Sequence, residues 1–268
     1  MLDEFNETGE PREAGGKGGL SDDAFLGGRL QMLQPEKGYR AGIDAVLLAA
    51  SIPAAPGDLV FEAGIGTGIA AACLASRVPD VRVTGIEIAS RYAMIAEENA
   101  RRNELADRIK VLKGDLTESM RHDDVDWPAP ASFAHAYANP PFFEETSVQA
   151  PADALRAQAH LLKPGALDAW IKVMTGLLRP RGTVSVIHPA SSLPRLLAAM
   201  EQKLGNLTVL PMRSRRDEAA SRVIVRGTKG SKAPLRLLPG LVLHGGEGGG
   251  FLPEIDAVLR KGEALNFD

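Results

Sequence analysis

At 268 residues, 44% hydrophobic and 24% charged, the chain has the make-up of an ordinary globular protein that buries a core without disulfide or metal staples. A single cysteine, Cys73, excludes an internal disulfide and a cysteine-built zinc site and suits a reducing, cytoplasmic setting. The net charge of −3 sits in residues 1–20, where five acids face Arg12 and Lys17, so the remainder is formally neutral and open to an anionic partner. No long uncharged apolar run predicts a membrane span, and the acidic start is unlike a signal peptide.

Taken in order, residues 1–20 are Gly- and Glu-rich and are expected to be a disordered tail, with one folded domain over 21–268. Leu30–Pro35 is strand-like. Asp44 stands where it can cap the apolar helix Ala45–Ala50 or line a pocket. From Pro56 short apolar strands alternate with helical stretches, the order of a parallel sheet covered on both faces, a doubly wound α/β fold. The strands are Leu59–Phe61, Val81–Ile88, Ile109–Leu112, Ala134–Ala138 and Thr183–Ile187. The helices are the stretch after the first strand, Ser90–Asn103, Leu167–Leu178 and Leu193–Leu204, with Arg179–Gly182 as a turn. Residues 144–166 can form a mobile lid or a helix over the site. The end is β-rich, with Leu207–Leu210, Arg222–Arg226 and Leu235–Leu238, which predicts an antiparallel edge.

The first strand runs into Glu62-Ala63-Gly64-Ile65-Gly66-Thr67-Gly68. Glycines without Cβ let the backbone approach a ligand, and the following helix start offers free N–H groups. The spacing differs from the Gly-x-Gly-x-x-Gly of dinucleotide folds. Other polar groups also fall at strand ends, where open α/β sheets bind ligands: Glu87, suited to two ribose hydroxyls, Asp115, suited to an adenine amine with Leu116 on the ring, and Asn139. His122–Asp126 is read as a solvated loop rather than a metal site. In Asn139-Pro140-Pro141-Phe142 the prolines preset the backbone, so that the Asn139 side-chain oxygen and the Pro140 carbonyl can accept both hydrogens of a conjugated amine. The amine nitrogen then directs its lone pair at a methyl donor, while Phe142 stacks on a planar substrate.

Together these motifs resemble the class I S-adenosylmethionine (SAM) methyltransferases that methylate amino groups, over about residues 25–240. With Gly38–Ala49, the motif order is similar to that of the bacterial tRNA (adenine-N6)-methyltransferase family acting on valine tRNA. The resemblance implies a mostly parallel, seven-stranded Rossmann-like sheet and SAM as cofactor without a metal. It places SAM against Glu62, Ala63, Gly64, Gly66, Gly68, Glu87, Ile88, Asp115, Leu116 and Asn139, and makes Arg40 and Asp44 candidates for the pocket mouth. The target amine would lie at Asn139, Pro140 and Phe142, beside Phe143. The chain has Glu62 where related enzymes more often have Asp, and Phe142 where Tyr is common. Arg213, Arg215 and Arg216 open a basic stretch, 213–236, that is either an RNA-facing patch or a set of solvated strand and turn faces. Three readings share the Asn-Pro-Pro chemistry: methylation of adenine N6 in tRNA, of a glutamine side chain in a release factor, and of guanine N2 in rRNA. A SAM-binding module without catalysis is the reading from another class.

Overall fold

In the computed structural model, which describes residues 19–37, 40–116, 127–140, 165–245, 249–265 and 267, the chain begins with a β-hairpin. Strand β1 (Leu20–Phe25) pairs antiparallel with β2 (Leu30–Pro35) through a tight turn in which Gly27 has φ +67°. The sequence reading had only the second strand, because Leu20–Phe25 carries Ser21, Asp22 and Asp23 and offers little apolar alternation. The start of β1 at Leu20 also moves the edge of the expected tail. The rest of that tail lies outside the described residues, as do Gly38, Tyr39, His122–Asp126 and nearly all of the expected lid.

Helix α1 (Ile43–Ser51) follows, and its N-cap is Gly42, not Asp44. Asp44 sits in the first turn instead, where a carboxylate is favoured by the helix dipole. The alternating units are β3 (Leu59–Ala63), α2 (Ile69–Arg77), β4 (Arg82–Glu87), α3 (Ser90–Arg102), β5 (Ile109–Lys113) and β6 (Phe133–Ala138). After them come α4 (Ala166–Leu177), β7 (Leu178–Pro189), α5 (Leu193–Glu201), β8 (Leu204–Arg213) and β9 (Arg222–Lys229). Two short pieces, β10 (Arg236–Leu237) and β11 (Leu241–Val242), lie along β8, and α6 (Pro253–Asp256) runs into a wider turn over Ala257–Lys261.

The main sheet has the order β10-β8-β9-β7-β6-β3-β4-β5, with β11 also on β8. Strands β5, β4, β3, β6 and β7 are parallel, and β9 is antiparallel to both β7 and β8. The expected antiparallel pairing is therefore internal, and the outermost pieces β10 and β11 return to parallel pairing. The turn expected at Arg179–Gly182 is a bulge within β7: Arg181 has φ +65°, and the register with β6 shifts between Phe133 and His135.

Two apolar layers cover the sheet. On one face Val60, Tyr137 and Ile187 pack under α1 and α2 with Leu47, Leu48 and Leu74. On the other Phe61, Ala136, Val184 and Val225 pack against Ile171 and Met174 of α4 and Leu196 of α5. Strands buried on both faces need continuous apolar runs rather than alternation, which is what β3 and β6 supply. The strand order reverses between β3 and β6, so their carboxyl ends flank the crevice where such a sheet takes a ligand.

Candidate active site

Strand β3 ends at Ala63 and the chain turns back through the glycine loop into α2. Gly64, Gly66 and Gly68 have φ of +70°, +57° and +81°, a region in which a Cβ is disfavoured. A side chain at Gly64 would also meet the Trp170 ring of α4 at 2.8 Å. Ile65 N–H donates to the Ile86 carbonyl at 2.9 Å, which ties the loop to β4.

Glu87, at the end of β4, accepts hydrogen bonds from Gly66 N–H on one carboxylate oxygen and from Ala89 N–H on the other, each at 2.9 Å. Each oxygen retains acceptor capacity, so the group is aimed without being saturated. Beside it Ile88 is 46% exposed, a large apolar side chain at a strand end. Asp115 follows β5 and is half-buried, Leu116 is buried, and the Gly114 N–H binds the Glu87 carbonyl at 2.9 Å. The ends of β4 and β5 are thereby fixed relative to each other.

Asn139 and Pro140 leave the carboxyl end of β6 beside the glycine loop. Ala41, Ala45, Glu62, Gly64, Gly66 and Asn139 line one cleft, open to solvent, that joins the loop to the Asn-Pro turn. Pro141, Phe142 and Phe143 lie outside the described residues.

Glu62 is 3% exposed and accepts the Tyr137 hydroxyl hydrogen bond at 2.8 Å. Burial pushes its carboxyl up to about 8; the bond from Tyr137 opposes the rise, Glu87 adds repulsion, and the Ala71 N–H of α2 again opposes it. The same burial, with Glu62 beside it, raises the Tyr137 phenol well above its ordinary value. Cys73 is buried and its thiol is pushed up to about 12, which leaves it an inert core group.

Arg40 turns away from the cleft toward the hairpin: it donates to Ser21 at 2.7 Å, to the Pro35 carbonyl at 3.0 Å and to Asp23 at 2.6 Å. Asp44 pairs with Arg222 of β9 at 3.0 Å. What Arg40 secures is the approach to α1, since Gln34 of the same hairpin binds Ala41 N–H at 2.8 Å.

The basic stretch divides. Because β8 runs parallel to β7 across β9, Arg213, Arg215 and Arg216 stand at the carboxyl edge, on the side of the glycine loop, with Arg215 and Arg216 exposed. Arg226 instead caps α1 by donating to the Ser51 carbonyl and lies 3.9 Å over the Phe267 ring. Lys229 donates to the Leu178 carbonyl at 2.7 Å, at the amino end of β7.

Three groups with a place in the site had not been singled out: Tyr137, Trp170 and Asn99. Asn99, fully buried on α3, donates to the Thr67 carbonyl in the glycine loop at 2.9 Å and to the Leu33 carbonyl of the hairpin at 3.0 Å, and accepts from Leu33 N–H at 2.7 Å. One turn later Asn103 repeats the exchange with Gln31 at 2.9 Å in each direction. Four residues of helix rise about 6 Å and two residues of strand about 6.7 Å, so two asparagines spaced i, i+4 match alternate residues of a strand. That spacing was the available signal.

The arrangement suits SAM. A loop with three left-handed glycines leaves room for close backbone approach, Glu87 offers acceptors for vicinal hydroxyls, and the exposed Ile88 supplies apolar surface at the end of β4. Among the described residues no group of three or more His, Cys, Asp or Glu is placed to hold a metal, and no helix is long and apolar enough to cross a membrane.

A methyltransferase-domain family model matches residues 60–166. A tRNA1(Val) (adenine(37)-N6)-methyltransferase of Porphyromonas gingivalis is 33% identical over 202 residues, covering 72% of this chain and 77% of that protein. A protein of the same name from Bacteroides thetaiotaomicron is 29% identical, covering 61% and 65%. Among solved structures, one described as a predicted O-methyltransferase from Agrobacterium tumefaciens superposes with a TM-score of 0.69 at 25% identity, covering 83% of this chain and 98% of that one.

Proposed function

The chain belongs to the tRNA1(Val) (adenine(37)-N6)-methyltransferase family and is a SAM-dependent methyltransferase, and we propose that it methylates N6 of an adenine beside the anticodon of a valine tRNA, with Asn139 and Pro140 holding the amine. The observation that carries the assignment of roles is that Asn139 lines the same cleft as Glu62 and the glycine loop, so an amine held at the Asn-Pro turn lies next to a donor held in the loop.

SAM, when bound, supplies a methyl group on a cationic sulfur that is already a good leaving group. This chain therefore has to position and desolvate rather than form a covalent bond. Glu87 would take the ribose hydroxyls, and Asp115 the adenine amine of the donor. The Asn139 side-chain oxygen and the Pro140 carbonyl would accept the two hydrogens of the target amine, which frees the nitrogen lone pair from its conjugation with the ring. Phe142 and Phe143, which follow Pro141 in the sequence, are the candidates for stacking on the target base. Arg213, Arg215 and Arg216, on the edge that carries the cleft, would meet phosphates. No step calls for a metal, and the proposed setting is the cytoplasm.

The test offers labelled SAM with bulk tRNA, rRNA or release factor, followed by digestion of the product. N6-methyladenosine in the tRNA fraction is expected. Label confined to protein, or to guanine of rRNA, would refute the assignment.

A further inference from the structure

Glu62, which the family resemblance places against SAM, has surroundings that are unusual for a group expected to be an anion. It faces Tyr137 directly across the β3–β6 ladder, and both side chains lie on the face roofed by α1 and α2. The Tyr137 hydroxyl is fully buried and donates to Glu62 at 2.8 Å. The titratable groups acting on the pair are Glu87 from β4 and Cys73 from α2, neither of them cationic. Among the described residues no Lys or Arg forms an ion pair with Glu62. Arg40 and Arg222, on the elements flanking the cleft, are bonded to Asp23 and Asp44. From α1 and α2 the cleft receives only Ala45, Ile69 and Ala70. A buried carboxyl lining a ligand cleft, with a phenol and the Ala71 N–H as its partners, has no full positive charge beside it, and SAM brings one.

We propose that Glu62 and Tyr137 form a proton-coupled lock for the cationic donor: without a cation in the cleft Glu62 stays a neutral acid against the Tyr137 hydroxyl, and donor binding ionises it. The proton leaves through the open cleft to solvent, the carboxylate stays, and no other bond changes. This rests on the cleft being the SAM site. Glu62 makes the charge contact, while Tyr137 acts through it as a positioning residue that sets how readily the carboxylate forms.

Calorimetric titration of SAM into the full-length protein at pH 7, in buffers of different ionisation enthalpy, counts the protons released. With Glu62 held near 8, about 0.9 proton should leave per SAM bound. Affinity should rise nearly tenfold per pH unit from pH 6 to 7 and level off above about pH 8. Glu62→Gln should release no proton. Tyr137→Phe removes a bond that favours the anion, so it should weaken SAM about threefold to tenfold at pH 7 and shift the pH profile upward, whereas a purely structural loss would lower affinity equally at every pH. SAM bound by the wild type with no proton released, or a Tyr137→Phe profile lowered without being shifted, overturns the proposal. No SAM binding by the wild type overturns the site assignment instead.

Discussion

The two ends of the parallel sheet use polar residues in opposite ways. At the amino end Asp58, His135, Arg179 and Thr183 consume one another: His135 bonds Thr183 at 2.8 Å, Asp58 lies 3.5 Å from His135, and Arg179 lies 3.2 Å from Asp58. At the carboxyl end Glu87 accepts only backbone N–H groups, which orient it while leaving acceptor capacity, and the loop under it is held in a conformation only glycine adopts easily. One end closes its polar groups on each other, and the other keeps Glu87 aimed outward. The distinction separates a fold-stabilising cluster from a candidate ligand site even though both contain a histidine or carboxylate that a motif scan would flag.

The largest test of that contrast is Asn139→Ala. Methyl transfer should fall by roughly 10²–10³ or more while the SAM dissociation constant stays nearly unchanged, measured by single-turnover transfer and by calorimetry. If SAM binding collapses instead, Asn139 holds the donor and not the amine.

Gly64→Ala should come next. It forces a Cβ onto a backbone at φ +70° and into the Trp170 ring, at about 1–3 kcal/mol of strain, so the melting temperature should fall by several degrees and the displaced loop should weaken SAM about tenfold or more. A large loss of stability with intact affinity would make the loop a structural turn.

At the other end His135→Ala should leave kcat and SAM affinity unaltered and lower stability by about 1–3 kcal/mol, read from urea unfolding. The pH dependence has a definite sign. Burial lowers His135 from 6.5 to about 4, against the pull of Asp58, and lowers His188 to about 4 with Arg195 and Arg222 adding to the shift. Between those values the unfolded chain binds more protons than the folded one, so stability is full above about pH 6.5 and is lost as the pH falls toward 4. His135→Ala should flatten part of that slope.

The smallest effect belongs to the edge. Arg215→Ala with Arg216→Ala should weaken tRNA binding severalfold and reduce the salt slope by about 1–2, with SAM binding unchanged, measured by filter binding across a salt series. The same change at Lys229 should do little, since Lys229 is spent on the Leu178 carbonyl.

Much of this was legible because it is local. A strand–glycine–helix signal needs only neighbouring residues, and β3, β4, β5 and β6 each announce themselves by an apolar run that ends in a polar residue. Relations between distant residues were not legible. Nothing in Phe133–Ala138 says that Tyr137 faces Glu62 until β6 is placed beside β3, and that adjacency is a crossover in the strand order. The basic stretch looked continuous because sequence proximity hides the reversal of β9, which carries Arg226 and Lys229 away from Arg213, Arg215 and Arg216. The hairpin was missed for a related reason: β1 gains its stability from β2, and β2 from two asparagines nearly seventy residues later, not from a pattern of its own.

Those two asparagines tie the first described strand pair to the carboxyl end of the sheet. A single carboxamide, Asn99, is shared by the Leu33 backbone and the Thr67 carbonyl, so the first strand pair and the glycine loop hang from one nail. The Leu33 amide and the loop amides should exchange with deuterium as one cooperative unit, and a ligand that quiets the loop should quiet the hairpin as well. Cutting the chain before residue 36 would then do more than shorten it: the carboxamide would lose its partner on one side, and the glycine loop would loosen from behind.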